Sequence, residues 1–132
     1  MALQGNCIHT TYVNSGETET FTYTTADGTE ATESRPIMNA VTESFTDIYV
    51  VVDKVELVTH YHVDIDNTTH KIQQCFADYS GYTNKAARDL DKTDTLFDNS
   101  CLVENYDFDS NAYSQSYIEI KKQPGMENLV DV

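Results

Sequence analysis

The stretch "DIYVVVDKVELVTHYHVDID", residues 47–66, decides how the rest of the chain is read. Side chains on a strand alternate between two faces, so positions separate by parity. The odd positions are Tyr49, Val51, Asp53, Val55, Leu57, Thr59, Tyr61, Val63 and Ile65, apolar except for Asp53 and Thr59. The even positions begin apolar at Ile48, Val50 and Val52. They turn polar at Lys54, Glu56, His60, His62, Asp64 and Asp66, with Val58 as the exception. A helical period would mix these classes. The segment therefore reads as one long strand, or two strands meeting at a bend. Its first part is expected to be buried on both faces and its second part to have one face in water.

The polar end of this strand carries the residues most suggestive of chemistry. His60, His62, Asp64 and Asp66 recur at every second position, and His70 follows shortly after. His60 and His62 share a face and could both reach an ion. A structural zinc site, however, takes four ligands and draws cysteine or histidine from a second element. The chain contains neither CxxC nor HExxH. "DIDNTTH" also departs from a calcium loop, with Thr69 where glycine is required and Cys75 where glutamate is required. "DLDKTDTLFDNS" (89–100) departs likewise at Asp94 and Ser100. The expectation is a solvated strand face, with His60, His62, Asp64 and Asp66 kept as metal candidates only.

Working toward the N-terminus, "CIHTTYV" (7–13) reads as a short strand and "NSG" (14–16) as a turn. "ETETFTYTTADGTEATESRP" (17–36) is two acidic, threonine-rich arms around Asp27-Gly28, a hairpin signal. Phe21 and Tyr23 share a face with Glu17 and Glu19, while the second arm has almost nothing apolar to bury. Residues 17–35 are therefore expected to be a protruding arm or loop ended by Pro36. Glu17, Glu19, Phe21, Tyr23, Asp27, Gly28, Glu30 and Glu33 are its candidate protein-interface residues.

On the C-terminal side, "IMNAV" (37–41) being a short strand before the long one, "HKIQQCFADYS" (70–80) reads as the return strand. It puts Ile72 and Phe76 on one face and Cys75, Ala77 and Tyr79 on the other. Lys85 to Arg88 fit one helical turn, and 95–108 carries another strand. The period then changes: Tyr113, Tyr117 and Ile120 fall on one helix face. A helix is expected over 110–123, capped by Asp109 or Ser110 and stopped by Pro124-Gly125. Met126, Leu129 and Val130 suggest a tail that docks.

The fold class expected is mainly β. It is an antiparallel sheet or β-sandwich, with a protruding N-terminal hairpin and one C-terminal helix, in a single domain spanning 1–132. The chain is long enough for one core, with 132 residues of which 39% are hydrophobic. Its net charge of −14, from 22 acids against eight bases, excludes a nucleic-acid binder and an anionic-membrane binder, both of which need a basic footprint. Mimicry of nucleic acid would want regularly spaced acids, and these are scattered over hairpin, loops and tail. No run is long enough to span a membrane, and the first residues lack the pattern of a signal peptide. Cys7, Cys75 and Cys101 are expected to be three free, mostly buried thiols of a protein made in a cytoplasm.

The C-terminal half resembles a group of small tailed-bacteriophage virion structural proteins. "KAARDLDK" (85–92) is similar to their Lys-Ala-Arg-Asp-like patch, and "IYVVVDKVEL" (48–57) to their valine-rich core strand. In "YSQSYIEIKKQPGMENLVDV" (113–132), Tyr117, Ile120-Lys121 and Val130-Asp131-Val132 match their terminal helix and close. The chain departs at Gln123-Pro124-Gly125-Met126, where the group has Pro-Glu-Phe, and in its acidic hairpin. The resemblance implies a non-enzymatic component of the virion, at the tail, baseplate or fibre attachment, or else a capsid decoration protein. It implies other virion proteins as partners, an oligomeric state in the particle, and no cofactor. The reading from another class is a small metal-binding protein or enzyme built on the histidine strand.

Overall fold

A computed structural model describes residues Met1–Val132. The fold is mainly β, with one five-stranded antiparallel sheet and two helices. In chain order the elements are β1 (Leu3–Thr24), β2 (Glu30–Val63), β3 (Thr69–Tyr82), α1 (Lys85–Leu90), β4 (Phe97–Leu102), α2 (Ala112–Ile120) and β5 (Val130–Asp131). The sheet order is β4-β3-β2-β1-β5, so of the two β architectures expected it is the single sheet that forms. The chain divides into two compact units, one of residues 1–9 and 44–132 and one of Thr10–Glu43.

In the larger unit, β2 and β3 pair from Tyr49↔Tyr82 to Val63↔Thr69, and the register shifts between Val52 and Lys54. This β-bulge at Asp53 explains the change of parity in the sequence. A bulge adds one residue to one strand, and so flips every side chain beyond it to the other face. Before the bulge, Val52 sits opposite Tyr79; after it, Val55 sits opposite Ala77. The core face therefore runs Ile48, Val50, Val52, then Val55 and Leu57, alongside Cys75, Ala77 and Tyr79. Asp53, the odd acid on an apolar face, is set aside by the bulge. Its carboxylate accepts from the Ser80 hydroxyl, which also lies 2.7 Å from Asp98.

The core of this unit gathers Leu3, Cys7, Ile48, Val50, Cys75 and Tyr79 with Tyr117 and Ile120 of α2 and Met126 and Leu129 of the tail. The tail docks as expected, although Val130 itself is exposed and contributes a backbone pairing with Gln4 instead. Tyr117 ties three segments together. Its phenol accepts from the Val52 amide at 3.0 Å and donates to the Met1 carbonyl at 2.8 Å. Gly125 lets the tail pass: a Cβ there would lie 2.1 Å from the Ile8 carbonyl oxygen. On the other face Ala2, Val51 and Tyr82 form a small second cluster.

α1 is capped by Asn84, whose side chain accepts from the Ala87 amide. α2 is shorter than the expected 110–123, and its cap is Asn111 rather than Asp109 or Ser110. Those two are engaged in the preceding turn. The Asp109 amide and the Ser110 hydroxyl both bond the Asp107 carboxylate, which leaves Asn111 as the last extended residue, free to accept from the Ser114 amide.

In the smaller unit, residues 10–24 of β1 and 30–43 of β2 carry the acidic hairpin. Two sequence expectations are corrected here. "NSG" is not a turn but lies inside β1. The turn chemistry is present, since the Gly16 amide bonds the Asn14 side chain and Gly16 has φ +83°, yet the strand continues through it. Pro36 does not end the hairpin either, because β2 continues through it. β3 pairs with β2 only from Tyr49 onward. A strand with a neighbour on one side only has no ladder donor to lose on the other.

Candidate functional surfaces

Both ends of β2 lead into hairpin turns of the same construction. In "TADGT" (25–29) the Thr25 amide bonds the Thr29 carbonyl at 2.8 Å and the Gly28 amide bonds Thr25 at 2.9 Å. In "DIDNT" (64–68) the Asp64 amide bonds Thr68 at 2.9 Å and the Asn67 amide bonds Asp64 at 2.9 Å. Each turn is a three-residue loop whose last position is left-handed, Gly28 at φ +84° and Asn67 at φ +64°. Each is braced by its central acid. Asp27 accepts from the Thr29 amide and the Thr25 hydroxyl, and Asp66 accepts from the Thr68 amide at 2.9 Å. The Thr25 hydroxyl and Thr29 amide hold the Asp27 carboxyl down at about 2. Bonding from Thr68 likewise lowers Asp66.

The DIDNT turn sets the register of the histidine strand: His60 faces Ile72 and His62 faces His70. Asp64 then lies between two imidazoles, 3.1 Å from His62 Nε2 and 2.6 Å from His70 Nε2. Of the four sequence candidates, the structure brings His62 and Asp64 together and adds His70. Asp66 is committed to its turn, and His60 sits one pair further along the ribbon. No group of three His, Cys, Asp or Glu side chains is arranged to hold a metal ion. The Asp64 carboxylate occupies the space between the rings, one oxygen to each. The signal for His70 was present in the sequence: a five-residue DIDNT turn pairs 62 with 70.

The expectation for the second half of β2 was one wet face. Both faces are wet. Leu57, Tyr61 and Val63 are 54%, 68% and 56% exposed, and Ile72 of β3 is exposed too. β4 pairs with β3 only over Phe76–Gly81, so beyond it β2 and β3 run on as a ribbon whose base, at Gln73 and Gln74, borders the Leu102–Tyr106 segment.

The arm has the same character. Glu17, Glu19, Asp27, Gly28, Glu30 and Glu33 are all exposed, and so are the apolar Tyr12, Val13, Phe21, Tyr23, Met38 and Val41. Its single base, Arg35, is engaged locally, 3.2 Å from Glu33 and over the Phe21 ring at 5.0 Å. β5 meets β1 only at Leu3 and Gln4, and β3 meets β2 only from Tyr49, so each strand of the arm has a neighbour on one side.

The three cysteines are free and buried, as expected. Burial pushes the Cys7 and Cys101 thiols up to about 11 and raises Cys75 as well, so all three are protonated at neutral pH. Cys7 borders a cavity of about 290 Å³ between Phe45 and Gly125. No helix is long and apolar enough to cross a membrane. No protein-family model, curated protein or solved structure matches the chain.

Proposed function

We propose that this chain is a structural, non-enzymatic component of a tailed-phage virion, at the tail, baseplate or fibre attachment, working through protein–protein contacts made by its acidic arm. One observation carries the contact role. The Thr10–Glu43 unit exposes six large apolar side chains on a two-stranded ribbon. A lone two-stranded ribbon is marginal in water, and apolar side chains grouped on a surface mark interaction sites. The virion setting is supported by the resemblance of residues 48–57 and 85–132 to small phage structural proteins. Its partners in this reading are other virion proteins, and it is oligomeric in the particle.

Quantitative mass spectrometry of purified particles tests the proposal. The expected result is a copy number well below that of the major capsid protein. Near-parity would replace tail placement by capsid decoration, and absence from the particle would overturn the virion reading.

A further inference from the structure

We infer that the Thr10–Glu43 arm docks on a basic surface of a different protein, not on a second copy of this chain. The inference rests on the contact role proposed above and specifies the chemistry of the partner. The arm carries Glu17, Glu19, Asp27, Glu30, Glu33 and Glu43 against one base, Arg35. Arg35 is already paired with Glu33, and Asp27 is consumed by its own turn. Glu17, Glu19 and Glu30 make no ion pair within the arm and stand exposed, Glu17 and Glu19 on the strand that carries Phe21 and Tyr23.

The chain's other acid-rich stretch, 89–109, is different. Four of its seven carboxylates are engaged locally: Asp89 by Lys85 and Arg88, Asp91 by Thr93, Asp98 by Ser80 and Thr95, and Asp107 by Ser110, which leaves Asp94, Glu104 and Asp109. The arm combines unspent carboxylates, exposed aromatic rings and strand edges with free main-chain groups on one two-stranded ribbon. Those edges suit strand addition, and the rings suit an apolar patch. The carboxylates require lysine or arginine around that patch, since complementary charge steers docking and like charge opposes it. A second copy brings net charge −14 and an equally acidic arm, so it fails this condition.

The test uses the full chain and particles assembled without it. Rebinding is measured from about 50 to about 500 mM salt, and affinity is expected to fall at least about tenfold across that range. The triple variant Glu17→Lys, Glu19→Lys, Glu30→Lys should not bind at low salt, while the corresponding Gln variant retains weakened, less salt-sensitive binding. Circular dichroism checks that both variants are folded. Salt-independent binding, or binding unchanged in the Lys variant, overturns the inference. So does arm-dependent self-association of the purified chain at low salt.

If the wild-type chain binds no particle, the virion reading has failed, and hexalysine judges the charge inference separately. Amide shifts on titration should concentrate within residues 10–43. Shifts concentrated over 89–109, or spread evenly, would overturn it.

Discussion

Ile48–Val52 and Leu57–Val63 belong to one strand and draw on one set of residues, yet Val50 is fully buried and Val63 is 56% exposed. Local chemistry does not separate them. What separates them is the cover: the first stretch shares a core with Tyr117, Ile120, Met126 and Leu129, and Leu57, Tyr61 and Val63 of the second stand outside it. A β-branched apolar residue marks a position that could be buried. Whether it is buried depends on an element arriving from elsewhere in the chain, or from another chain.

The largest effect expected from this contrast is in a pair of truncations. Ile48→Ala should cost about 2–5 kcal/mol, because it opens a cavity in a packed core. Leu57→Ala should stay within about 0.5 kcal/mol, as for an exposed site. Urea unfolding of both variants measures the difference. Equal costs would show that the histidine ribbon is covered in solution, and the contrast between the two stretches would collapse.

A smaller effect tests what closes the covered end. Tyr117→Phe keeps the ring but leaves the Val52 amide without its acceptor and the Met1 carbonyl without its donor. An unmet buried amide costs about 1–3 kcal/mol. Amide exchange should report the loss at Val52 first. No change there would mean that β2 is held at this point by packing alone.

The smallest effect concerns the two hairpin turns, whose backbones match and whose central acids are both held below the ordinary value. The Asp27 carboxyl is held at about 2, below the usual aspartate value near 4. Its contribution is therefore complete above about pH 4 and is lost as pH falls through about 2. The Thr29 amide should exchange faster over that window, and Asp27→Asn should remove the dependence. A flat profile in the wild type would mean that the backbone bonds and Gly28 suffice.

Much of the fold was legible in residues 47–66. The period of two, the apolar first half and the polar end each have a structural counterpart. The parity change at Asp53 was visible as well, but alternation alone reads equally as burial on both faces or as a bulge. It took the register with β3 to choose. The NSG stretch misled for a related reason: an Asx-bonded glycine is compatible with the inside of a strand as well as with a reversal. In the histidine site, spacing along one strand suggested His60 and His62, whereas ligation and hydrogen bonding depend on cross-strand neighbours. His70 entered from β3, and Asp66 left for its own turn.

By itself, then, the amino-acid sequence determined the β class, the Asp27-Gly28 hairpin turn, the C-terminal helix and the acidic surface. These follow from local backbone preference, side-chain alternation and charge, which act within a few residues. Only the tertiary structure decided which apolar faces are covered, where β2 changes face, and which side chains meet Asp64. Those are set by contacts between residues far apart in the chain, and no local rule specifies the partner.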